Sequence, residues 1–168
     1  MDMSKTEQKQ IFLKPYELVS DLENALKTVR QTNFDKMAVS VIGNLGEEYI
    51  NESKELTTIE NQLSPFFKEL LGTTTAFDTF YNAELGRLFV AGFLVETFLN
   101  SVGKRGIGEL SGGPYGILRG FGITEKDAIA SISKLKDKTY LLVARGNLSD
   151  IQKLENQLGN QLEDKLGN

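Results

Sequence analysis

The stretch GRLFVAGFLVETFLNSVGKRGIGELSGGPYGILRGFG, residues 86–122, decides how the chain is read. It holds ten of the sixteen glycines, and four of them, Gly108, Gly112, Gly116 and Gly120, recur at every fourth position. Residues four apart share one face of a helix, so Gly112, Gly116 and Gly120 predict a strip without side chains on which another backbone can lie closely. Such a strip serves a membrane zipper, a ligand cradle, or close packing within a domain or across a homodimer. The zipper needs a long apolar helix, whereas this one is short and carries Arg119. Gly108, Gly112, Gly116 and Gly120 are therefore the expected close-packing or interface residues.

The same stretch contains Gly103-Lys104-Arg105-Gly106-Ile107-Gly108, followed by Ser111-Gly112-Gly113. Glycine amides and two cations at the start of a helix can cradle an anion, which makes Lys104, Arg105, Gly106 and Gly108 candidate ligands for a nucleotide or polyphosphate. The spacing matches neither the Walker pattern nor GxGxxG, and a solvated loop is the plain alternative. Among the glycines stand Phe93, Phe98 and Tyr115, which with Phe66 and Phe67 predict a lid over a small apolar ligand.

Working outward, the 168 residues suit one domain, and 40% hydrophobic content is enough for a core. A net charge of −4 argues against a nucleic-acid partner. With no histidine and no cysteine, the commonest general base, the thiolate nucleophile, disulfides and the usual zinc ligands are all missing. No metal, cofactor or catalytic residue is assigned. Glu96, inside an apolar run, comes nearest to a catalytic carboxylate, and a carboxylate reaching solvent or pairing with Arg87 is the plainer reading of it. Tyr81 and Tyr115 read as core or pocket-lining aromatics. LFVAGFLVETFLNSV is interrupted by Glu96, Thr97 and Asn100, so no membrane span is expected. The polar start MDMSKTEQKQ has no apolar segment of a secretion signal, and the expected location is the cytoplasm.

In chain order, residues 1–9 read as a disordered lead and 10–159 as a single α+β domain. IFLKPYELV is a strand, with Pro15 restricting it to an edge or a bulge. Ser20 and Glu23 suggest a capping box for a helix over 21–32, and KMAVSVIG predicts a buried strand over 36–43. Residues 47–72 form an acidic helical insertion that restarts at Ser64-Pro65 and stops at Gly72. RLFVA reads as a third strand and FLVETFLNSV as a helix with Leu94, Phe98, Leu99 and Val102 inward. The glycine-rich segment 103–122 ends in a short helix entered at Pro114. Thr124 caps the next helix, whose inward positions are Ala128, Ile129, Ile132 and Leu135. TYLLVA predicts a central strand, Ser149 caps a last helix, and 160–168 is a flexible tail.

The order of these parts resembles a family of bacterial heat-inducible general stress proteins whose molecular function is unknown. Three pieces carry the resemblance: the strand, helix and strand over 11–43; ELGRLFVAG running into glycine-rich sequence; and GITEKDAIASISKLKDKTYLLVARG. It implies a ferredoxin-like sheet of about four strands, two split βαβ halves with an inserted glycine-rich segment, and no transferable catalytic residue. The expected role is that of a non-enzymatic stress-associated protein acting through self-association or contacts with a protein partner. The alternative is a regulatory module that binds a small molecule or anion through the aromatic and glycine-rich insertion.

Overall fold

All but the last residue of GRLFVAG are buried, and successive side chains enter two separate apolar cores: Leu88 and Val90 one, Phe89 and Ala91 the other. A strand buried on both faces needs strand neighbours beside it and helices above and below. The computed structural model, which describes residues 9–34 and 36–159, supplies both. Its strands are β1 (Gln10–Tyr16), β2 (Ala38–Gly46), β3 (Phe77–Asn82), β4 (Gly86–Gly92), the two-residue pair β5 (Ser101–Val102) and β6 (Arg105–Gly106), and β7 (Tyr140–Gly146). β5 and β6 form a small hairpin of their own; the others make one sheet in the order β1-β7-β2-β4-β3, every neighbouring pair antiparallel.

The helices are α1 (Val19–Thr32), α2 (Lys54–Leu71), α3 (Leu94–Leu99), α4 (Gly113–Gly120), α5 (Glu125–Lys136) and α6 (Leu148–Leu158), with a 3-10 turn at Ile107–Glu109. α1, α2 and α6 cover one face, where Leu22, Leu26, Phe67 and Leu154 meet Phe12, Val41 and Phe89. α3, α4 and α5 cover the other, where Phe98, Leu118 and Leu135 meet Leu13, Ile42 and Val90. Burying each such leucine contributes roughly 1.5–3 kcal/mol.

RLFVA and TYLLVA therefore lie in one sheet, and the chain is an α+β protein. β1 and β2 run parallel with β7 between them; β4 and β7 run parallel with β2 between them. The two βαβ units are thus interleaved. The second crosses in the opposite lateral direction on strands of opposite sense, so equal hands would put both crossovers on one face. They lie on opposite faces, hence one of them runs against the general right-handed preference.

Pro15 sits in β1 at the sheet edge, where a missing amide is tolerated. The sheet has five strands rather than about four, because residues 77–82 pair with β4 through a tight turn. α1 starts at Val19 with Leu18 as its cap, so Ser20 is inside the helix and no capping box forms. The bond from the Leu22 amide to the Leu18 carbonyl extends the helix past the serine. α2 runs through Pro65 without restarting; Asn61, whose carbonyl loses its helical donor there, is exposed to water. Its cap is Ser53, and 47–53 are not helical. In α3 Val95 is buried and Leu99 exposed, since the helix ends before the β5–β6 hairpin. In α5, Ser131 is buried in place of Ile129, which is 55% exposed. Asn147, not Ser149, caps α6. Apart from the exposed Lys9, the expected lead and tail lie outside the described residues. Among the described residues no helix is long and apolar enough to cross a membrane.

Candidate functional site

The glycine-rich segment is held by two polar side chains from the turn between β3 and β4. Asn82, fully buried, donates to the carbonyls of Gly108 at 2.9 Å and Leu110 at 3.1 Å, while its oxygen accepts from the amides of Glu84 and Leu85. An Asn side chain turning back onto its own following amides is a turn former, and here the same group also fastens carbonyls 26 and 28 residues further along the chain. Glu84 accepts from the Ser111 hydroxyl at 2.6 Å and the Gly112 amide at 2.8 Å, at the start of α4. Gly112, at φ +73°, has no side chain with which to cap that helix. Glu84 takes over the role, and the Ser111 and Gly112 hydrogen bonds hold its carboxyl below its ordinary pKa.

That arrangement predicts a sign. A depressed carboxylate stabilises the fold above its unfolded pKa, and the contribution is lost as pH falls through the lower, folded value. Acid titration of urea stability is expected to show a loss on that low-pH side in the wild type and a smaller one in Glu84→Gln. Equal slopes for the two proteins would refute it.

Two carboxylates of the chain take up amides of the glycine-rich segment, Glu84 that of Gly112 and Glu109 that of Gly106. Glu109 accepts from the Gly106 amide at 2.9 Å and its carbonyl from Arg105 at 3.1 Å. Lys104 and Arg105 are exposed at the tip of the β5–β6 hairpin. Of the glycine strip, only Gly108 is crowded: a Cβ there would lie 2.5 Å from Phe80 and 2.9 Å from Phe98. Gly112, Gly116 and Gly120 are exposed with nothing within 4 Å of a Cβ, so no described part of this chain packs along them. Gly113, outside the four-residue spacing, is the tight one, its Cβ position 1.8 Å from the Ile107 carbonyl oxygen.

The aromatic lid is not brought together. Phe66 and Phe67 belong to the α2 face, whereas Phe98 is stacked on Phe80 at 5.5 Å in the opposite core. Tyr115 and Phe93 pack at the margin of that opposite core, Phe93 edge-on to Phe121 at 6.0 Å. Arg87 is buried and donates to the carbonyls of Tyr49 and Ile50, both at 3.0 Å, so it secures the 47–53 loop and not Glu96. Tyr16, at the end of β1, has its hydroxyl pushed up to about 12 by burial and by Asp21, which makes it a poor acid at neutral pH.

Phe93 and Glu96 do meet elsewhere, in an open cleft of about 520 Å³ at the end of the sheet. The C-terminal turns of α1 and α2, the start of β2 and the beginning of α3 surround it. Leu26, Val29, Met37 and Leu70 form apolar walls; Arg30, Asn33, Thr74 and Glu96 supply the polar groups. Arg30 Nη1 donates to the Glu69 carbonyl, bridging the two helices across the cleft. The cleft draws on residues from 26 to 96, and the separate helical patterns of α1 and α2 carry no signal that their ends leave a gap. Among the described residues no cluster of carboxylates could hold a metal ion. No family model matches the chain, and no curated protein or solved structure matches it either.

Proposed function

We propose that the protein acts by binding rather than by catalysis, holding a small amphipathic molecule in the cleft at the end of the sheet. The observation that carries this reading is the cleft itself, about 520 Å³, open, and lined by apolar and polar groups in comparable measure. Small-molecule sites generally span roughly 300–1,000 Å³, and the mixed lining suits a ligand with both an apolar and a polar part. The missing histidine and cysteine support a non-enzymatic role. The uncharged fluorophore N-phenylnaphthylamine tests it: its emission is expected to rise and saturate with the wild type, and not with Ala76→Trp, which fills the cleft from an exposed position. No saturable rise, or an equal one with the variant, refutes the cleft as the site.

We assign the module to cytoplasmic, stress-associated proteins on the three segments that carry the family resemblance, whose meeting in one sheet supports it. Two interleaved split βαβ units support the ferredoxin-like comparison; crossovers on opposite faces depart from it.

Self-association is a second reading, favoured by Gly116. A glycine inside a helix costs about 1 kcal/mol against alanine, and no described part of this chain packs on it. Light scattering after size exclusion is expected to give a dimer mass for the wild type and a monomer for Gly116→Leu. A wild type monomeric at every concentration ends this reading.

A further inference from the structure

We infer that the cleft selects an amphipathic cation, such as an aromatic amine, over an acid of the same size; the inference rests on the cleft reading above. Two helices end at its wall, α1 at Asn33 and α2 at Leu70 and Leu71. Helix C-termini carry the negative end of the backbone dipole. Arg30, the cation lining the cleft, already donates to the Glu69 carbonyl in the last turn of α2, so its charge answers that terminus. The carboxylate lining the cleft is Glu96, which is exposed and in no ion pair among the described residues.

The positive end of the short α3 is answered from β2. The Phe93 amide donates to the Val39 carbonyl at 3.3 Å and the Leu94 amide to Ser40 Oγ at 2.9 Å. Negative charge is thus left over in the cleft. Phe34 also lines the cleft, but Lys153 stands 5.9 Å from its ring centre, so that ring already has its cation and the preference rests on Glu96 and the helix ends.

Phenylpropylamine, phenylpropanol and phenylpropionate share a body and differ in charge. Each is titrated into the full chain at neutral pH, with affinity from calorimetry and site from the NMR signal of the Met37 methyl, which lines the cleft. The amine is expected to bind about tenfold tighter than the acid, with the alcohol between them. Glu96→Gln is expected to bring the amine to the alcohol's affinity and leave the alcohol unchanged. An acid that binds as tightly as the amine while shifting Met37, or an amine preference untouched by Glu96→Gln, overturns the charge selection and leaves the cleft reading standing. No Met37 shift with any of the three overturns both.

Discussion

Replacing Gly92 by alanine is expected to cost on the order of 3 kcal/mol or more, a large part of the stability of a domain this size. Gly92 closes β4 at φ +103°, where a side chain is already strained. A Cβ would lie 2.1 Å from the Val39 carbonyl oxygen, 2.7 Å from Ser40 Oγ and 2.9 Å from Ser40 Cα. The two oxygens also accept from the amides of Phe93 and Leu94 at the start of α3, so they cannot retreat without releasing the helix. Urea denaturation is expected to show a lower midpoint with little change in slope. Gly116→Ala is the matched control: nothing of its own chain lies within 4 Å of a Cβ there, so within the single chain that change is expected to stabilise by up to about 1 kcal/mol. A Gly92→Ala protein as stable as the wild type would refute the strand-end geometry.

Asn82→Ala is expected to cost about 2–4 kcal/mol, because it leaves buried amides and carbonyls without partners on both sides of the joint. All four hydrogen bonds of the side chain are made at 2.9–3.1 Å. Asn82→Asp discriminates between lost packing and lost donors. Aspartate keeps the shape and the acceptor but turns a carboxylate toward the carbonyls of Gly108 and Leu110, so it is expected to destabilise strongly at neutral pH. The penalty should ease as pH falls and the carboxyl gains a proton. An Asn82→Asp protein with wild-type stability at neutral pH would contradict the arrangement.

Neither effect is legible along the chain. TYLLVA and RLFVA announce themselves, since a strand buried on both faces must be apolar throughout, and Pro15 marks an edge because it lacks a donor. Thr124 with Asp127 caps α5 as their spacing requires. Residues 77–82, FDTFYN, mix burial on one side with partial exposure on the other, and the alternation is too imperfect to separate a strand from the run before it. The glycine spacing misleads for a different reason. Gly108 is set by two phenylalanines and Gly112 by its positive φ at the cap, so a common interval conceals unrelated causes, while the tightest glycine of the segment, Gly113, lies outside it. Asn82 and Glu84 look like ordinary solvated turn residues until distant carbonyls and amides are carried to them. For the cleft, Glu96 and Phe93 stand out in the sequence as residues of interest, but the helix ends that surround them come from another part of the chain.

The position of β7 has a consequence for how the molecule is made. Its backbone is the ladder partner of β1 along the whole length of that strand and separates it from β2. During synthesis the first strand therefore waits, without a hydrogen-bonded neighbour, until β7, some 130 residues further on, has emerged. Such distant closure is slow, and the waiting edge is open to wrong pairing. A nascent chain lacking β7 should stay protease-sensitive at its beginning and gain protection in a single late step.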